Sequence, residues 1–230
     1  MNMAARVADI RERMRGASVR AGRNPADVRL MAVTKTYSRE VVLEAYRAGI
    51  RIFGENRVSE AVEKYTDFAE DGELHLIGHL QTNKAKAAAG LFPWVDSVDS
   101  LRTAGALAKR LEECGKSADI LLELNTSGED SKSGYRSFDD LRRDLEGILM
   151  LGALRLRGLM TVGPLTGDAG EIRAAFRSLK TCMDRLCGMV SASCRPDTLS
   201  MGMSGDFEIA IEEGATLIRL GTVLFGKREV

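Results

Sequence analysis

Eight short apolar runs punctuate the 230 residues, and seven of them give way to a segment with helical periodicity. The apolar runs read as buried strands at 30–35, 50–54, 74–78, 94–98, 119–124, 154–160, 198–201 and 216–220. Helical patterns follow at 38–48, 55–68, 82–89, 100–114, 138–151, 169–190 and 204–213, several opened by a capping Ser. Strict alternation of this kind means parallel strands joined by crossover helices, in a closed barrel or an open doubly wound sheet. The open sheet announces itself by a glycine-rich turn after its first strand. Here that turn is Lys35-Thr36-Tyr37, without glycine. The reading is therefore α/β, a single (β/α)8 TIM barrel domain over residues 1–230. An extra N-terminal helix precedes it, with Val7, Ile10, Met14 and Ala17 on one face.

Composition narrows the function classes. Thirty-three basic and thirty-three acidic residues cancel, which leaves no electrostatic footprint for nucleic acid. No apolar run reaches the roughly 18 residues of a membrane span. The first helix carries Asp9 and Glu12, unlike a secretory leader. Cys114, Cys182, Cys187 and Cys194 lack metal-ligand spacing and read as reduced thiols of a cytoplasmic protein, although a disulfide stays open.

The first strand carries the chemistry. Its apolar run ends in Lys35, and a buried ammonium is costly unless paired or neutralised. A Schiff base with an aldehyde would use such a lysine; the plainer alternative is that it snorkels into solvent. Barrel closure sets strand eight beside strand one, so Arg219 comes close to Lys35 at the C-terminal face, with Leu217 also inward and Ile218 and Leu220 facing the helices. Two neighbouring cations call for an anion or an electron-rich partner. After strands seven and eight come Gly202-Met203-Ser204-Gly205 and Gly221-Thr222. Loops at these strands form the frequent phosphate site of barrels, and Ser204 is also placed as a helix cap. An imine-forming lysine, a phosphate site and an arginine together suggest pyridoxal 5′-phosphate (PLP). An arginine at the pyridine nitrogen makes the ring a weaker electron sink than an aspartate would.

The motifs AVTKT at 32–36, FGENRVSE at 53–60, HLIGHLQTNK at 75–84, SKSG at 131–134 and the run at 200–228 resemble the pyridoxal phosphate homeostasis protein family. That family is similar to the alanine racemase barrel, fold type III. The resemblance implies that Lys35 carries PLP as an internal aldimine, that Ser204, Gly221 and Thr222 bind the phosphate, and that Arg219 faces the ring nitrogen. It also implies that Asn56 lies near the cofactor and that Met201 lines the pocket. Lys132 reads either as a second lysine that handles PLP or as a solvated loop residue. His75 is expected in the core and His79 has no catalytic role. Two functions are compared: a PLP-binding protein of vitamin B6 and amino-acid homeostasis without robust turnover, and a minimal fold-type-III racemase or decarboxylase. A racemase needs bases on both faces of the α-carbon. Lys35 serves one face and no residue suggests itself for the other. The chain is expected to lack the racemase's second domain and to be a monomer, with PLP-dependent apoenzymes as candidate recipients. A sugar-phosphate barrel without PLP is the more distant reading.

Overall fold

The eight apolar runs become eight parallel strands that close on themselves in chain order. They are β1 (Arg29–Val33), β2 (Ile52–Glu55), β3 (Glu73–Leu76), β4 (Trp94–Val98), β5 (Ala118–Glu123), β6 (Leu154–Met160), β7 (Thr198–Ser200) and β8 (Leu217–Leu220). In this computed structural model residues 2–65 and 71–226 are described. Closure sets Met31 opposite Arg219 and Ala32 opposite Leu220. The neighbouring seam is short: β7 and β8 share the Ser200–Leu217 pair.

The helices are α1 (Met3–Arg20), α2 (Arg39–Arg47), α3 (Val58–Tyr65), α4 (Ala85–Leu91), α5 (Leu101–Glu113), α6 (Phe138–Leu149), α7 (Ala169–Cys187), α8 (Phe207–Glu212) and α9 (Thr222–Phe225). Some starts follow capping chemistry, although Ser38 before α2 makes no cap bond. Ser100 accepts from the Thr103 N–H and opens α5. Ser137 and Asp168 do the same for α6 and α7. Gly49, at φ 91°, ends α2 as expected. The helix expected at 55–68 runs from Val58 to Tyr65, and its expected last residues lie outside those described.

One boundary differs in a way that matters. The helix expected from Ser204 begins only at Phe207. Asp206 takes the Met203 N–H on its carboxylate at 2.5 Å, and this holds 203–206 as a turn. That leaves α8 six residues long. The N-terminal helix packs against α8 and α9. Its Val7, Ile10, Met14 and Ala17 are buried, as their spacing predicts. Arg6 donates to the Leu224 and Phe225 carbonyls at the end of α9. Arg13 and Arg20 both pair with Glu208 of α8. Each large apolar side chain on that face contributes about 1.5–3 kcal/mol of burial.

Between the strands and the helices lies one continuous apolar cluster, which includes Ile218 and Leu220 of β8. Inside the barrel the apolar residues form two small groups. Met31, Ile52 and Leu217 make one, and Trp94, Leu121 and Met160 the other. Leu217 is inward and its neighbours outward, as the alternation predicts. His75, Asp96, Glu123, Ser200 and Arg219 are buried polar residues of the strands. Among the described residues no helix is long and apolar enough to cross a membrane, and the four cysteines are free.

Candidate functional site

Strand β1 ends at Val33, and Lys35 stands two residues beyond it in a tight turn. The Tyr37 N–H closes that turn on the Thr34 carbonyl at 3.1 Å. Thr36 has φ 69°, the only positive value among the described non-glycine residues. A β-branched residue pays a steric cost there. The half-buried Lys35 lines a cavity of about 540 Å3 at the C-terminal face, within the roughly 300–1,000 Å3 of small-molecule sites.

Arg219 enters the same cavity from β8. It is 4 % exposed. Its Nη1 donates to Ser200 Oγ and its Nη2 to the Thr161 carbonyl, both at 2.7 Å. Those two bonds fix the plane of the guanidinium. Burial lowers its pKa, and the carboxylates of Asp96, Glu123 and Asp206 oppose that shift. Burial pushes Glu123 up to about 7, the Asp99 carboxylate adds to the rise, and Arg219 counters it.

Two loops complete the rim. Ser204 and Gly205 follow β7, and Gly221 and Thr222 follow β8. Ser204 is not a helix cap: its Oγ accepts the Val223 N–H at 3.2 Å and ties the two loops together. Hydroxyls, glycines and backbone amides on this side suit a phosphate. The cavity is also lined by the apolar Val33, Ile77, Met160, Val162 and Met203. Asn56 reaches the cavity just after β2. It is held by the loop after β3, where a Cβ on Gly78 would stand 2.2 Å from the Asn56 carbonyl. Only glycine allows that approach.

Six of the seven residues expected at the site therefore share one cavity: Lys35, Asn56, Ser204, Arg219, Gly221 and Thr222. Met201 does not. It is fully buried in the outer cluster. Ser200 points inward to Arg219, so its neighbour must point outward. Gly202, at φ 93°, then breaks the alternation and delivers Met203 to the cavity. That parity signal was present in the sequence.

The remaining polar motifs lie elsewhere. Lys132 Nζ donates to Glu129 Oε1 at 2.6 Å and to the Gly163 carbonyl at 2.7 Å, so it latches two loops together and is not a solvated lysine. His79 is half exposed beside Asp99, at 3.1 Å. His75 is fully buried, stacked on Trp94, with Nδ1 at 2.8 Å from Asp96 Oδ1. Burial opposes its charged form, but Asp96 and Glu73 outweigh that and raise its pKa. No cluster of three or more metal-ligating side chains occurs among the described residues.

A closed barrel with a lysine just past β1 and an arginine on β8 defines a class, and comparison agrees: residues 6–229 match the family "Alanine racemase, N-terminal domain". Within that class the chain belongs to the pyridoxal phosphate homeostasis protein family. It is 39% identical to the Aquifex aeolicus pyridoxal phosphate homeostasis protein over the whole of both chains. It is 42% identical to the Pseudomonas aeruginosa protein of the same name, over 99% of this chain and 96% of that one. Among solved structures it is similar to PipY of Synechococcus elongatus with PLP bound, at TM-score 0.82 and 38% identity, covering 98% of this chain and all of that one.

Proposed function

We propose that this protein binds pyridoxal 5′-phosphate and serves intracellular vitamin B6 and amino-acid homeostasis, without robust substrate turnover. The observation that carries the reading is the meeting of Lys35 and Arg219 in one cavity beside the Ser204–Gly205 and Gly221–Thr222 loops. The donor set suits the cofactor: an amine for its aldehyde, backbone amides and hydroxyls for its phosphate, and a pinned guanidinium for its ring nitrogen. The names of the relatives, and the PLP bound in the PipY structure, support the same ligand.

When bound, the cofactor supplies an aldehyde that condenses with amines and a ring that withdraws electrons. Lys35 Nζ would hold it as a Schiff base. Ser204, Gly221 and Thr222 would hold the phosphate, and Asn56 would lie beside the ring. Arg219 is a hydrogen-bond donor that keeps its own proton, so it would leave the ring nitrogen unprotonated and make the ring a weak electron sink. Of the described residues lining the cavity, Lys35 and Arg219 are the only titratable ones. A wall of Ile77, Met160, Val162 and Met203 excludes water but transfers no proton. This favours capture and release of the cofactor over racemisation.

We place the protein in the cytoplasm, as a monomer whose single barrel is the complete binding unit, with PLP-dependent apoenzymes as recipients. Light scattering tests the oligomeric state. The binding mode is tested by the visible spectrum of the purified protein with added PLP, before and after borohydride. An imine band that reduction fixes at Lys35, and that Lys35→Ala lacks, is expected. A flat spectrum with added PLP overturns the reading.

A further inference from the structure

Lys35 leaves the barrel between two threonines, and both are tethered to the same place. Thr34 is fully buried, and its Oγ1 donates to Glu55 Oε1 at 2.8 Å. Tyr65 Oη lies 2.6 Å from the same Oγ1. Lys64 Nζ donates to the Thr34 carbonyl at 2.8 Å and to Glu55 Oε1 at 3.0 Å, and stands 3.6 Å from Glu60 Oε2. On the far side of Lys35, the Thr36 N–H donates to Glu60 Oε2 at 3.0 Å. Glu55 is completely buried and Lys64 nearly so. Neither lines the cavity.

This is an expensive way to build a turn. Four residues close on a hydrogen bond with a positive φ at the third, the place where glycine ordinarily sits. A glycine would relieve the strain and leave the turn loose. A buried ion pair is no efficient source of stability either, since apolar residues of similar volume do as well or better. Strain that persists at a site, held by surrounding contacts, points to function. What the contacts hold is the backbone on either side of Lys35.

We propose that Glu55, Lys64 and Glu60 form a positioning network that aims the Lys35 amine into the cavity and so sets how fast the site captures an aldehyde. The inference rests on the binding role of Lys35 given above. Glu60 takes the Thr36 amide and fixes the strained residue. Lys64 joins Glu60 and Glu55 to the Thr34 carbonyl, so both flanks of Lys35 answer to one ammonium. Misaiming a reacting group by about 1 Å costs up to roughly a hundredfold in rate.

The test compares wild type with Glu60→Ala, Glu60→Gln, Lys64→Met and Thr36→Gly. Each is mixed with PLP, and the rate of the absorbance band and its visible circular dichroism are read. Glu60 is partly exposed, so its variants keep the wild-type unfolding midpoint. Glu60→Ala is expected to slow capture by about 10–100-fold and weaken the dichroism. Glu60→Gln keeps an acceptor for the Thr36 amide and restores the rate to within about threefold. Lys64→Met behaves like Glu60→Ala or worse, and Thr36→Gly falls between. A second readout uses no cofactor. Reductive 13C-methylation with formaldehyde labels Lys35, assigned by its loss in Lys35→Ala. A dispersed Lys35 resonance that collapses to the solvent-lysine position in Glu60→Ala supports the network. Wild-type capture rates and dichroism in both Glu60→Ala and Lys64→Met overturn it, as does an unmoved Lys35 resonance. No band in wild type sinks the PLP reading alone, and the resonance then decides this one.

Discussion

The two apolar regions of this barrel are built on opposite terms. Outside the strands the packing is continuous: α1 and the crossover helices press one unbroken cluster onto the barrel. Inside, two small apolar groups are kept apart, and buried His75, Asp96, Glu123 and Arg219 share the strands with them. Burying ionisable groups costs free energy unless each finds a partner. His75 has Asp96, and Arg219 has Ser200, Thr161 and three carboxylates nearby. The outer layer holds the fold. The interior gives up part of that stabilisation to keep a charged surface beneath the cavity.

The sharpest way to break this division is to injure the outer layer. Phe176 of α7 is fully buried there. Phe176→Ala should cost about 3–5 kcal/mol of stability, read by urea unfolding. The surviving folded protein should bind PLP with wild-type affinity. Loss of binding at full stability would show that the outer layer shapes the cavity after all.

The interior should reveal itself through pH. The Glu123 carboxyl rises from the ordinary glutamate range to about 7 on folding. Between about 4.5 and 7 the folded protein therefore keeps a proton that the unfolded chain has lost. Stability is fully present below that window and falls as pH rises through it, by about 3 kcal/mol at most. His75 acts in the same direction, since its raised pKa adds stability at low pH that is lost as pH rises. Glu123→Gln should flatten the decline seen in denaturant titrations between pH 5 and 8. An equally steep decline in the variant would remove Glu123 as its cause and leave it to His75 or to groups outside the interior.

How much of this was legible depended on period. The barrel was, because eight short runs each fit a strand and none fit a helix. The ends of β4 and β6 fall where their patterns stop. The interior charges were legible in part: His75 and Asp96 interrupt the apolar runs LHLI and WVDSV, and such interruptions mark inward positions. Arg219 and Lys35 could be brought together only by assuming closure. The turn at 203–206 was not legible, because Ser204 satisfies the rules for a helix cap while Asp206 wins the Met203 amide. Lys64 was hidden for another reason. At i+4 from Glu60 it reads as half of an ordinary surface pair, and only the fold turns it inward onto Glu55.

Lys35→Ala should change stability least and binding most. The side chain is half-buried at the cavity rim, outside both interior apolar groups and the outer cluster. Truncating it creates no cavity in the packing, so the urea midpoint should move by less than about 1 kcal/mol. Thr34 and Thr36 keep their bonds to Glu55 and Glu60 through atoms that the substitution leaves in place. Covalent trapping of PLP by borohydride should nevertheless vanish. Weak non-covalent binding should remain, because the loops at Ser204 and Gly221 and the pinned Arg219 are intact, and competition by inorganic phosphate would measure it. A large fall in stability would mean that the Lys35 amine is itself part of the buried network that aims it.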